Sequence, residues 1–517
     1  MDKINILWVD DEIDLLKPHI IFLKEKGYHV DTANNGNDAL DLLKINDFDI
    51  IFLDEQMPGI SGIETLMKIK DTQPNIPVVM ITKSEEEAIM EDAIGSNIAD
   101  YLIKPVKPNQ ILLSLKKNLE NKKIISEKTT FQYQREFRNI GMEISNRLNH
   151  EEWTEVYKKI TGWEMRLEKS QDEGMNQVLK MQKDEANQVF CRFIEKNYLD
   201  WIHGKAEQRP VLSHTLIKEK LFPLLQEERP LFVILIDNLR FDQWKSLQPV
   251  LEESFRLERE DLYYAILPTT TQYARNSLFA GLLPTEIEKK YPKYWVNEDE
   301  EGTKNNYEGE LLGELLKRYG RDYRYSYYKV LNQSYGKKLV ELMPNLMVNR
   351  LNVIVYNFVD MLSHARTEME MIRELADDEK AYRSLTLSWF LHSPLYEIIR
   401  YLADKDINLV ITTDHGSIRV DSPVKILGDK NTNTNLRYKT GKALKFEKEE
   451  VFEVRNPADA FLPRTNVSST YVFCRNDDFF AYPNNYNYYV NYYRNTFQHG
   501  GISMEEILVP FIVLRRK

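Results

Sequence analysis

The sequence predicts a multidomain chain: an α/β domain, then an all-α connector, then a second and larger α/β domain. Three observations carry that reading. Over residues 1–120, short β-branched runs alternate with amphipathic helical patterns. Over 121–225 the strand signals stop and apolar residues recur at helical spacing. Over 226–517 apolar runs return, and they end in carboxylates and imidazoles. A chain of 517 residues also exceeds the roughly 250–300 that one core supports.

In the first domain, strand-like runs occupy residues 4–9, 50–53, 78–81 and 99–103, a pattern that predicts a parallel sheet wrapped by helices. Asp10 and Asp11 follow the first run and Asp54 follows the second of these. Three carboxylates brought together repel one another unless a divalent cation joins them, and an all-oxygen set suits magnesium. Thr82 ends the next run, and Lys104 precedes Pro105 after the last. A hydroxyl and an ammonium facing a carboxylate suit phosphoryl oxygens placed on it. On these residues, with Met57-Pro58-Gly59, the domain resembles a response-regulator receiver of flavodoxin-like fold along its whole length.

The resemblance implies that Asp54 accepts a phosphoryl group. It implies that Mg2+ is held by Asp10, Asp11, Asp54 and the backbone carbonyl of Gln56. Thr82 and Lys104 would read the phosphoryl group, with Tyr101 as the aromatic that turns inward. A sensor histidine kinase would be the phosphodonor. The responsive face would span residues 85–119 and form a homodimer on phosphorylation.

In the connector the helical repeat runs through Ile140, Ile144 and Leu148, then Val156, Tyr157 and Ile160, then Val189, Phe190, Phe193 and Ile194. No proline falls between Pro108 and Pro210, so a small helical bundle is expected, with Trp153, Trp163 and Trp201 in its core. Lys/Arg and Asp/Glu are mixed on its surfaces, and no helix shows the basic, polar face of a DNA-reading element.

The third domain opens on Leu231–Ile236, a continuous apolar run expected of a strand buried on both faces, and it ends at Asp237. Residues 267–275 supply the hydroxyls of Thr269, Thr270 and Thr271 where a loop turns into a helix. Residues 352–359 read as another strand ending at Asp360, with His364 at i+4. A third strand ends at Asp414-His415, and His499 lies near the C-terminus. Three of nine histidines therefore fall at such junctions, in company with three aspartates.

The set divides in two: Asp237, Asp414, His415 and the Thr271 hydroxyl, and Asp360, His364 and His499. Mixed nitrogen and oxygen donors suit zinc. Two ions about 4 Å apart can activate a hydroxyl and clamp both oxygens of an in-line displacement.

On the order Asp…Thr…Asp-x-x-x-His…Asp-His…His, residues 230–510 resemble the PglZ branch of the alkaline phosphatase superfamily. The resemblance implies two Zn2+ and a Ser or Thr nucleophile, here Thr271, with Thr269 and Thr270 as neighbouring alternatives. It departs from monoesterases in offering no third-metal shell and no clear phosphate-clamping arginine, Arg275 and Arg240 being loose candidates. A monoanionic diester needs less positive charge than a terminal phosphate, so a phosphodiesterase is expected. The stretch between His415 and His499 is expected to cap the cleft, and its tyrosines at 482–493 could stack bases of a nucleotide or oligonucleotide substrate. The order receiver, connector, PglZ-like domain resembles the two-component regulators of the type IX secretion system.

Composition bounds the alternatives. With 29% charged and 42% hydrophobic residues the chain is globular. Its net charge of -11 makes it a poor generic binder of polyanions. Cys191 and Cys474 are too few and too far apart for a disulfide framework. The N-terminus runs straight into a strand and no apolar run nears the ~20 residues of a membrane span, so a cytoplasmic location without membrane insertion is expected. The competing reading is a transcriptional regulator or protein adaptor, engaging the transcription machinery, whose metals serve folding alone.

Overall fold

The computed structural model describes residues 4–74, 76–83, 98–170, 173–298, 300, 302–369, 378–428, 432–464, 466 and 468–517. Two compact units result: one built on residues up to Gln134, the other on Arg135–Lys169 and Glu173–Lys517.

The first unit is a five-stranded, wholly parallel sheet of β1 (Asn5–Val9), β2 (His29–Ala33), β3 (Ile50–Asp54), β4 (Val78–Thr82) and β5 (Asp100–Ile103), in the order β2-β1-β3-β4-β5. β3 and β4 are buried at every residue, so both faces need cover. One face packs Trp8, Phe52 and Ile81 against Ile111 and Leu115; the other packs Val9, Ile51 and Leu53 against Leu66 and Ile69. The strand β2 carries no continuous apolar run because it is an edge strand, buried only at Val30 and Ala33. Helix Gly62–Thr72 starts with Ser61 accepting from the Glu64 amide in a reciprocal capping box. A Cβ at Gly62 would lie 2.2 Å from the Asp54 carbonyl oxygen, so only glycine lets this helix begin so near the end of β3. Of the switch face expected at residues 85–119, residues 85–97 lie outside the described residues.

In the second unit, connector helices His150–Ser170 and Glu173–Ile202 meet the end of Pro108–Ser145: Lys159 Nζ lies 2.6 Å from Glu143 Oε1, and Gln182 Nε2 donates to the Phe137 carbonyl at 2.8 Å. Trp153, Trp163 and Trp201 are buried as expected. The connector is not free-standing: Trp201 meets Tyr264 edge-on at 5.5 Å and Tyr157 meets Phe241 at 6.0 Å. The main sheet holds β6 (Leu231–Ile236), β7 (Phe255–Tyr264), β8 (Tyr325–Val330), β9 (Leu351–Tyr356), β10 (Asn408–Thr412) and β11 (Leu508–Arg516) in the order β7-β11-β10-β6-β9-β8.

Strands β10, β6, β9 and β8 are mutually parallel, and β11 is antiparallel to both β10 and β7. The C-terminal ends of β6, β7, β9 and β10 and the start of β11 therefore share one edge. The strand expected at 352–359 stops at Tyr356, and helix Phe358–Glu368 takes up the rest of the apolar run, with Val359 fully buried in it. Apolar continuity alone does not separate a buried strand from the buried face of a helix. Between His415 and His499 the chain adds a three-stranded sheet (Tyr438–Gly441, Thr470–Cys474, Val451–Val454) and helix Tyr486–Tyr493. Among the described residues no helix is long and apolar enough to cross a membrane.

Candidate metal centres at two strand-end edges

In the first unit, Asp10, Asp11 and Asp54 each offer a carboxylate oxygen within 4.8 Å of the others. Lys104 Nζ lies 3.0 Å from Asp10 Oδ2 and 3.0 Å from Asp54 Oδ2. Burial pushes the Asp54 carboxyl up to about 6; Lys104 pulls it down, and the charges of Asp10 and Asp11 push it up. The all-oxygen donor set fits magnesium. Thr82 is buried at the end of β4. Gln56 follows Glu55 in the turn after β3. Tyr101, expected to turn inward, is 49% exposed. Alternation along β5 directs Leu102 to the core, so its neighbour Tyr101 faces out.

In the second unit the shared edge brings the expected residues together. Asp237, Asp414 and His415 form one donor set and Asp360, His364 and His499 another, with one ligand atom of each residue within 4.8 Å of the others in its set. His415 Nε2 is 3.7 Å from Asp237 Oδ1 and 3.6 Å from Asp414 Oδ2. Asp360 lies 3.4 Å from His499 Nε2 and 3.6 Å from His364 Nε2. The sets adjoin: the rings of His415 and His499 stack at 4.4 Å. Thr271 Oγ1 sits 3.3 Å from His415 Nε2 and 3.4 Å from Asp237 Oδ1. The Thr269 hydroxyl instead donates to the Gly501 carbonyl and accepts from the Gly500 amide. That of Thr270 is buried without a hydrogen-bond partner among the described residues.

The electrostatics suit a cation. Burial pushes Asp237 up to about 7, against the pull of Arg275 and with the push of Asp414 and Asp360. Burial raises Asp414 as well. Burial and the neighbouring His499 hold the His415 imidazole near 4, leaving it a neutral nitrogen donor. Burial also disfavours charge on Asp360 and His499, but their mutual hydrogen bond and the neighbouring opposite charges together outweigh it, lowering the acid and raising the imidazole. Two buried carboxylates beside a neutral imidazole make a nitrogen–oxygen set that fits a divalent ion such as zinc. The second imidazole ring is oriented by His499 Nδ1, 3.2 Å from the Thr269 carbonyl oxygen.

Three families of description match the chain. "BREX system PglZ alkaline phosphatase-like domain" covers residues 216–514. The chain belongs to the PglZ alkaline phosphatase-like family. "PorX response regulator linker domain" covers 123–202 and "Response regulator receiver domain" covers 6–116, so the whole has the composition of a PorX-type response regulator with a C-terminal PglZ domain. Curated relatives include the transcriptional regulatory protein ZraR of Klebsiella oxytoca, 34% identical over 129 residues, which are 25% of this chain and 29% of that protein. Another is ResD of Bacillus subtilis, 34% identical over 119 residues, 22% of this chain and 49% of that protein. The chain thus spans under a third of the first and about half of the second. Among solved structures, chemotaxis protein CheY4 of Vibrio cholerae is 29% identical, with 23% of this chain and 99% of that chain covered and a TM-score of 0.21. Receivers in general are phosphorylated on aspartate with a divalent metal and pair with sensor histidine kinases, and the PglZ family points to phosphoester chemistry.

Around the PglZ site several residues escape a reading of the sequence. Neither arginine considered as a phosphate clamp faces the cleft. Arg275 is fully buried, with Nη1 2.9 Å from Asp237 Oδ2, Nε 2.6 Å from Glu308 Oε1 and Nε 3.7 Å from Asp414 Oδ2. Arg240 is buried against Asp242, Nε to Oδ1 2.9 Å, and Glu379. Asn238 holds a left-handed backbone (φ 63°), from which its amide reaches Asp414 Oδ1 at 3.4 Å and its side chain Asp360 Oδ1 at 3.5 Å. An Asn directly after a strand-end Asp is the one local signal of that turn. The cleft, ≈ 610 Å³, is lined by Thr271, Asp360, His364 and His499 on the side of the donor sets and by Asn435, Tyr492 and Tyr493 from the inserted stretch.

Proposed function

We propose that the chain is a two-component response regulator, phosphorylated on Asp54, whose PglZ domain is a zinc-dependent phosphodiesterase with Thr271 as nucleophile, acting on nucleotide or oligonucleotide diesters in the regulation of type IX secretion. The observation that carries this reading is the convergence of two nitrogen–oxygen donor sets on one sheet edge, with the Thr271 hydroxyl against the Asp237 carboxylate and His415 imidazole. Asp237, Asp414 and His415 would hold one zinc and Asp360, His364 and His499 the other. When bound, the ions supply positive charge that lowers the pKa of a hydroxyl and stabilises phosphoryl oxygens. Thr271 lies against Asp237 and His415 of the first set and lines the cleft, so its oxygen is presented to a phosphorus atom lying there.

Arg275 is committed to Asp237, Asp414 and Glu308, and Lys304 is the only Lys or Arg among the described residues lining the cleft. Its ammonium donates to the carbonyls of Asn297 and Glu300. So little free cationic charge favours a monoanionic diester. The phenols of Tyr492 and Tyr493 provide π-faces for a base.

Zinc-loaded protein is expected to hydrolyse bis(p-nitrophenyl) phosphate faster than p-nitrophenyl phosphate, and Thr271→Ala to lose that turnover while keeping its zinc. Zinc retention with unchanged turnover in Thr271→Ala removes the nucleophile assignment. Phosphorylation at Asp54 would drive dimerisation and alter access to the PglZ cleft. Equal oligomeric state and equal diesterase rate in phosphorylated protein and in Asp54→Ala would remove that coupling.

A further inference from the structure

The third connector helix, Glu173–Ile202, presents to the PglZ domain, among its other contacts, three residues spaced i, i+4 and i+8 and therefore on one face: Lys183, Asn187 and Cys191. Each reaches the same short segment. Asn187 Oδ1 accepts from the Met504 amide at 2.7 Å, and its Nδ2 donates to Glu505 Oε2 at 2.9 Å. Lys183 Nζ lies 3.1 Å from Glu505 Oε1, and Cys191 Sγ donates to the Ile502 carbonyl at 3.2 Å. Glu505 is 3% exposed, and each of its carboxylate oxygens is met by a connector side chain. Asn187, 2% exposed, uses both ends of its amide here.

The other side of the same segment touches the metal loops. The Gly416 amide, next to His415, donates to the Glu506 carbonyl at 3.1 Å. A Cβ at Gly416 would lie 2.0 Å from the Glu505 carbonyl oxygen, so the two backbones are in direct apposition. Glu506 Oε1 accepts from the Gly501 amide, two residues beyond His499, at 2.9 Å. The segment 502–506 thus has the connector on one flank and a histidine loop of each donor set on the other.

We propose that the connector helix is a positioning element of the metal centre, Lys183 and Asn187 fixing the 502–506 segment and through it the loops that present His415 and His499. This rests on reading those histidines as ligands. An ordinary staple between two packed parts would lower stability everywhere alike; a positioning grip loosens these loops selectively. Replacing Asn187 by leucine strands the Met504 amide and one buried oxygen of Glu505, both of which must move to find partners.

The test is hydrogen exchange on the full chain, with and without zinc, for wild type, Asn187→Leu, Lys183→Met and Lys183→Arg. It is paired with zinc release to a chromogenic chelator. Amides at 414–417 and 499–506 are expected to exchange at least about tenfold faster in Asn187→Leu and Lys183→Met. Those of β6 should be unchanged, zinc release should quicken by a similar factor, and Lys183→Arg should behave as wild type. Should Asn187→Leu not fold, Lys183→Met gives the same readouts. Wild-type exchange in the two loops, an equal rise throughout β6, or unchanged zinc release from a protein that holds zinc overturns the proposal. If the wild type binds no zinc, the metal reading fails and the exchange rates alone decide the positioning role.

Discussion

Replacing Asp54 with asparagine is expected to stabilise the receiver when no magnesium is present, and the gain can be worked from the site. The carboxyl is 2% exposed at the end of β3. Burial and the charges of Asp10 and Asp11 lift it from 3.8 to about 6 even though Lys104 Nζ is 3.0 Å away. A rise of that size is worth about 3 kcal/mol, at about 1.36 kcal/mol per tenfold change in proton affinity. The folded state holds the proton more tightly than the unfolded one, so this stability is fully present below pH 3.8 and is lost as pH rises through about 6. Asparagine removes the ionisation and keeps the shape. The gain should therefore be about 3 kcal/mol at pH 8 and vanish near pH 4. Magnesium should erase it, because the cation stabilises the wild-type carboxylate cluster far more than the variant's. Native-state hydrogen exchange of β1 and β3 amides in the full chain, across pH and with either EDTA or magnesium, reads the receiver alone. A gain independent of pH, or a loss at pH 8, would refute the account of Asp54 as a penalised buried charge.

Three further outcomes follow from the second unit. Arg275→Met leaves Asp237, Asp414 and Glu308 buried without their shared guanidinium, so denaturant unfolding of zinc-free protein should show a loss of about 3–5 kcal/mol, partly restored by zinc. Because burial pushes Asp237 up to about 7, zinc must displace its proton in acid. Zinc affinity measured by calorimetry should then fall roughly tenfold per pH unit below 7, with proton release that grows over the same interval. Gly416→Ala would press a methyl group to within 2.0 Å of the Glu505 carbonyl oxygen. It should cost at least about 1–3 kcal/mol in thermal unfolding and weaken zinc binding, whereas a wild-type melting curve would deny the close apposition.

Much of both centres was legible because parallel strands of one sheet end at one edge. Asp10, Asp54, Asp237 and Asp414 each end or follow a short apolar run, and that topology gathers them whatever their separation in sequence. His364 was legible from its i+4 spacing to Asp360, although the intervening boundary lay elsewhere, since Tyr356 and Val359 are equally apolar but sit in a strand and a helix respectively. What was not legible is pairing at long range. Arg240 reads as a free cation in the sequence, yet it is neutralised by Glu379, 139 residues away. Nothing local in Glu308 announces that it holds the arginine behind Asp237. Nor does the connector's repeat reveal Asn187, a polar residue that composition would assign to a solvated face but that is 2% exposed and fully bonded.

Both centres solve one problem, the repulsion of carboxylates crowded at a sheet edge, with one basic side chain, and the difference between the two solutions bears on function. In the receiver the cation is Lys104, 18% exposed in its side chain and at 3.0 Å from both Asp10 and Asp54. A lysine ammonium is a compact point charge on a flexible stem, free to follow a phosphoryl group placed on one of those carboxylates. In the PglZ domain the cation is Arg275, with no exposure, its guanidinium shared among Asp237, Asp414 and Glu308. A planar fork engaged on three sides cannot rotate toward a substrate without stranding buried charges, at a cost of several kcal/mol. The first arrangement leaves its positive charge available to a dianionic phosphoryl group. The second consumes it in holding the residues proposed as metal ligands; on that proposal, neutralisation of a substrate would fall to the ions and to Lys304, a balance that would suit one negative charge on phosphorus better than two.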